Sequence, residues 1–167
     1  MGTSALKAAG ITNRDSTPKV ATKSQLYGGT LRSAVGYVTA AAADDTASRY
    51  RMVAVPSNAF VRAVYLSSVA QGGAGAVDVG VYRATVDGGA SVSTGLFGTA
   101  VSVVSAISRS DVTNESTTYT AALREQPLWQ AAGLSADPGG ELDIVVAPTA
   151  ALTNGGAIAL EVQYVVN

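Results

Sequence analysis

The chain has 167 residues, of which 47% are hydrophobic and only 14% charged, and it contains neither cysteine nor histidine. Lysine plus arginine total 11 against 12 for aspartate plus glutamate, so a formal charge of -1 leaves no basic footprint for nucleic acid. Without Cys there are no disulfides, thiolate nucleophiles or Cys-ligated zinc; without His the usual acid–base group near neutral pH and the commonest metal ligand are missing, which removes most hydrolase and metalloenzyme chemistries.

The length fits one domain, or one domain plus an arm. No apolar run approaches the ~20 residues that cross a bilayer, and Met1-Gly2-Thr3-Ser4-Ala5-Leu6-Lys7 lacks the basic-then-apolar shape of a signal peptide. No membrane partner is expected, and synthesis in a cytoplasm is.

Residues 1–30 are small and polar, with Asn13, Asp15, Ser16, Thr17 and Pro18 close together and few large apolar side chains. They read as an extended arm, either a tail or a strand-like segment that orders on a neighbouring subunit. Tyr27-Gly28-Gly29 is its natural hinge. Residues 31–167 read as the folded domain.

Within the domain, residues 32–39 form a weak strand that runs into a loop at Asp44-Asp45. Residues 49–55 and 59–69 are rich in β-branched and aromatic side chains, and Pro56-Ser57-Asn58 between them has turn chemistry. The next strand shows strict alternation: Val77, Val79 and Val81 point one way while Asp78, Gly80 and Tyr82 point the other. Asp87-Gly88-Gly89 then reverses the chain. Residues 96–107 read as one further strand. A short helix is predicted over 127–132, with Pro127 at its start and Gly133 as its left-handed cap. Residues 141–147 and 158–166 alternate strongly and, joined through Asn154-Gly155-Gly156, are expected to pair as a hairpin. Seven or eight strands punctuated by turns argue for a sandwich or jelly roll.

Candidate chemistry is sparse. Asp44-Asp45 read as solvated turn residues. Asp137, Glu141 and Asp143 offer hard oxygen ligands of the kind calcium takes, but their spacing is not that of an EF-hand loop and Pro138-Gly139-Gly140 accounts for them as a turn. Asp78 reads as an outer-face residue or as a carboxylate paired with Arg62 or Arg83. Trp129, the single tryptophan, reads as a core or interface anchor from its setting among Leu128, Ala131 and Leu134. No catalytic residue, cofactor or metal site is expected.

Taken together, Asp15-Ser16-Thr17-Pro18, Tyr27-Gly28-Gly29-Thr30-Leu31-Arg32, Val77-Asp78-Val79-Gly80-Val81-Tyr82 with Gly88-Gly89 and Leu96-Phe97, Leu128-Trp129 with Gly133-Leu134 and Asp137-Pro138-Gly139, and the closing strand from Ile158 resemble the capsid decoration (cement) proteins of tailed bacteriophages. The resemblance implies an all-β, jelly-roll-like β-sandwich with an extended N-terminal arm. It also implies a homodimer or homotrimer on the outer surface of the mature virion capsid, where it clamps neighbouring major capsid subunits. Pro18, Val20, Leu26, Tyr27, Leu31 and Arg32, in the arm and hinge, are the expected contact residues. The competing readings are a carbohydrate-binding jelly-roll accessory of the virion, using Tyr82 or Trp129, and an enzyme working with paired carboxylates.

Overall fold

The computed structural model describes residues 6–166; residues 1–5, the tip of the expected arm, and Asn167 lie outside them. Eight strands carry the fold: β1 (Leu31–Ala40), β2 (Tyr50–Pro56), β3 (Phe60–Ser68), β4 (Ala76–Arg83), β5 (Ser91–Ser102), β6 (Ile107–Asp111), β7 (Glu141–Pro148) and β8 (Gly156–Val165). They pair antiparallel in two four-stranded sheets, ordered β1-β8-β3-β6 and β2-β7-β4-β5. Successive strands alternate between the sheets except β4 and β5, which pair within one, and this is the eight-stranded jelly-roll arrangement. Helix α1 (Ala9–Asp15) precedes the sandwich, and the one-turn helix α2 (Leu128–Ala131) lies between β6 and β7.

Alternation locates the core as expected. Val77, Val79 and Val81 of β4, Leu142, Ile144 and Val146 of β7, and Ile158, Leu160 and Val162 of β8 are all buried between the sheets. Gly88 and Gly89 take φ of 85° and 64° in the turn after β4, and Gly133 takes φ of 89° where α2 ends, conformations that a Cβ would strain.

Three local expectations change. The two last strands do not form a hairpin: β7 pairs with β2 and β4, whereas β8 crosses to the other sheet between β1 and β3. Alternation fixes which face a strand buries but carries no information about its neighbour. The single strand expected over 96–107 is two, with β5 in one sheet and β6 in the other, and the fully buried Val103 lies in the crossing between them. Residues 9–15 of the arm are helical, although no side chain caps the helix and none of its residues is buried.

Strand β5 is the most irregular. Val79 faces Gly98 while Val81 faces Ser93, so five steps along β5 are matched by only two along β4. The surplus chain turns Leu96 and Phe97, adjacent in sequence, both into the core. Phe97 meets Tyr119 edge-on at 5.1 Å between ring centroids, and the Tyr119 hydroxyl donates to the Val61 carbonyl at 3.1 Å. Ser116 donates to the Leu96 carbonyl at 2.5 Å, tying the segment after β6 to the bulge.

Gly80 admits this bulge. A Cβ there would stand 2.1 Å from the Thr94 carbonyl oxygen and 2.3 Å from that of Ser93, both backbone atoms that cannot swing aside. Gly80→Ala is therefore expected to cost about 1–3 kcal/mol through overpacking. The check is denaturant unfolding of the variant beside the wild type; an unchanged midpoint would show that β5 adjusts freely.

Candidate interaction surface

The arm folds on itself before it reaches the domain. Asp15 at the end of α1 accepts from Lys7 at 2.7 Å and Arg14 at 2.8 Å, and these cations hold its carboxyl below the usual carboxylate range, Arg14 contributing most. The Ser16 hydroxyl donates to the Asn13 carbonyl at 2.7 Å, and the Val20 N–H donates to the same carbonyl at 3.2 Å. These bonds fold the chain back across the cis Thr17–Pro18 peptide. The Tyr27 ring lies so close to Gly10 that a Cβ there would come within 2.6 Å of it.

The arm adds nothing to the core: among the described residues, none before Ala40 is buried. Its attachment is polar and local. The Arg62 guanidinium donates to the Gln25 carbonyl, and Gly29 passes so close to Val165 of β8 that a side chain would not fit.

Of the six expected contact residues, Val20 and Tyr27 are brought together, lining an open groove with Ile11, Arg14 and Lys19. Pro18 is exposed on the preceding turn, and Leu26 is half-buried at the arm's base. Leu31 and Arg32 belong to β1 rather than to the hinge, and as neighbours on a strand they point to opposite faces.

Two exposed side chains were missed. Leu31, Val35 and Tyr37 share the outward face of β1 and are 55%, 70% and 66% exposed, a stripe of large apolar groups outside the core. The signal was present in the alternation of residues 31–37, where inward Ala34 and Gly36 are small and the apolar bulk lies on odd positions. From Tyr37 an apolar groove continues across the sheet over Val69, Ile107, Ala157 and Ala159. Beside it, Arg109 stacks on Tyr65 with its guanidinium carbon 3.8 Å from the ring centroid and pairs with Glu161 at 3.1 Å.

The carboxylates weighed from sequence serve the backbone. Asp78 pairs with neither Arg62 nor Arg83; it accepts from the Ala100 N–H at 2.8 Å, at a residue of φ 51° within β5. Asp137 accepts from Ser57 at 2.6 Å and from the Gly139 N–H at 2.9 Å, whereas Asp143 binds Arg51 at 2.5 Å and Glu141 is exposed. Among the described residues no three acidic groups are placed to share a cation. Asp44 accepts from the Tyr50 hydroxyl at 2.7 Å and from the Ala41 N–H at 2.9 Å, bonds that hold its carboxyl below the usual range, while burial and this partner push the Tyr50 phenol up. Tyr82 is only 4% exposed, with its ring 6.0 Å from the Arg51 guanidinium, so its face is closed to a sugar. Trp129 is half-buried beside Phe60, Pro127 and Gln25.

Glu161 is the surface carboxylate with the most partners. The Gln163 amide, donating at 2.9 Å, and then Arg109 hold its carboxyl below the usual value. A lowered folded-state value means that this contribution to stability is complete above about pH 4.5, the ordinary value, and is lost as pH falls through the folded one. Glu161→Gln is therefore expected to be less stable than wild type at neutral pH, with the deficit shrinking in acid. Urea midpoints of both proteins across that range decide it, and a deficit independent of pH would contradict the assignment.

No family model matches the chain, and no curated protein sequence does. Among solved structures it is similar to a chain described as "Cyanophage Pam1 capsid asymmetric unit", at 19% sequence identity and a TM-score of 0.54, with 89% of this chain and 93% of that chain covered. At that identity the likeness is one of fold, and it extends over nearly the whole length of both chains.

Proposed function

We propose that the protein is a non-enzymatic structural component of a tailed-phage virion, a decoration protein that binds the outer surface of the mature capsid and cements neighbouring major capsid subunits. The observation that carries this reading is the self-folded arm: it stands outside the core, hangs on a few polar contacts and presents Val20 and Tyr27 to the exterior. The likeness in fold to a chain of a cyanophage capsid supports it.

In this reading Pro18, Val20, Leu26 and Tyr27 meet the shell, Leu31 and Arg32 continue the contact along β1, and many weak copies sum over the lattice. A second reading, saccharide binding, is favoured by one feature. The outer side of β4 and β5 carries a groove lined by Asp78 and the hydroxyls of Ser91, Ser93, Thr94, Thr99 and Thr118.

Deleting residues 1–27 is expected to leave a cooperatively folding sandwich, because the described residues among them bury nothing in the core, while abolishing co-sedimentation with phage heads that lack the protein. Full-length protein should bind saturably to expanded shells, not to immature ones, with little dependence on salt. Undiminished binding by the truncated protein would remove the arm from the interface, and no binding by the full-length protein to either shell would remove the decoration role.

A further inference from the structure

The two sheets present four edge strands, and three of them are interrupted. The β2 ladder shifts register at Met52, β5 carries several shifts, and the five-residue β6 shifts against β3 and places Arg109 at φ 49°. Such bulges, short strands and charges prevent an edge from templating another strand. β1 has none of these defences. All of its ten residues are paired with β8 without a register shift, and its only charged side chain is Arg32 near one end. Among the described residues no strand lies beyond it in the sheet and no hydrogen bond reaches its outer side.

We infer that β1 is a self-association edge, pairing antiparallel with β1 of a second copy about a two-fold axis near Val35. The strand's sequence fits itself in that register. Val35 meets Val35 of the partner subunit, Tyr37 lies opposite a serine, the partner's Ser33, and Leu31 lies opposite the partner's Thr39. Arg32 falls opposite the partner's Val38 and not opposite its own counterpart, so no like charges meet. The stripe of Leu31, Val35 and Tyr37 becomes continuous across the axis, and the two four-stranded sheets fuse into one of eight strands. This pairing goes beyond shell binding and does not depend on it, so either can fail alone.

Val35 is exposed, so charged substitutions there leave the monomer fold intact. Sedimentation velocity of the purified full-length protein is expected to show a dimer at micromolar concentration. Val35→Lys and Val35→Glu should each weaken self-association by ~10-fold or more, because like charges then meet at the axis. An equimolar mixture of the two variants should restore the dimer, since Lys now faces Glu. A monomeric or trimeric wild type, dimerisation unaffected by either variant, or failure of the mixture to recover would overturn the pairing.

Discussion

The ladder between β1 and β8 is the constraint on which the rest of the structure depends. It joins Leu31 to Val165 and Ala40 to Gly156, so the first strand of the sandwich is held by the last. Strand β8 also carries β3 on its other side, and β7 sits in the same way between β2 and β4. In each sheet one of the two central strands thus comes from the carboxyl-terminal part of the chain. Neither sheet is complete until that part is made, and the contacts that close it are distant in sequence, the pattern associated with slow folding. The position of β1 follows from the same ladder: with β8 on one side and, among the described residues, no strand on the other, it is an edge, and the arm enters the fold there.

Scarce charges are placed where the backbone departs from regularity. Arg51 donates to the Arg83 carbonyl at 2.9 Å and the Gly89 carbonyl at 2.9 Å besides binding Asp143, and so fastens both ends of the turn after β4 to the sheet. Asp111 accepts from the N–H and the hydroxyl of Thr113, whose oxygen in turn accepts from the Val64 N–H at 2.8 Å, closing the end of β6 onto β3. Asp78 performs the same service for β5 at Ala100. A charged acceptor on a backbone N–H is worth more than a neutral one, and each such group stands where the sheet ladder itself supplies no partner.

This division of labour explains which parts of the fold were legible in the sequence. Strand β8 and the first halves of β4 and β7 obey period two because their two faces meet different surroundings, and Gly88, Gly89 and Gly133 mark reversals that only positive φ allows. Leu96 and Phe97 break the alternation because a bulge turns both inward, and no local pattern announces the ring of Tyr119 that receives Phe97. Pairing was illegible for a related reason: β7 and β8 look like the arms of a hairpin, and only the packing of the whole sandwich sends them to opposite sheets. The arm's composition pointed away from the core, but helix α1 rests on contacts such as Tyr27 over Gly10 that composition does not encode. Val35 and Tyr37 were readable and overlooked, because large apolar residues on a strand suggest burial until the opposite face is seen to carry Ala34 and Gly36.

Those small inward residues have a physical cause at the sandwich edge. A Cβ at Gly36 would lie 1.9 Å from the Met52 carbonyl oxygen, where β2 bulges, so the two sheets approach too closely there for bulk between them. The strand cannot invest its apolar side chains in the core at that point and carries them outside. The arm is arranged in parallel fashion, with no buried side chain among its described residues and a guanidinium-to-carbonyl bond at Gln25, a contact of about 1.5–3 kcal/mol. Edge and arm adjoin at Leu31, where the chain enters β1. A fold that gained stability from burying Val20, Tyr27, Leu31, Val35 and Tyr37 would have done so; the core is completed without them, and they stay exposed beside it.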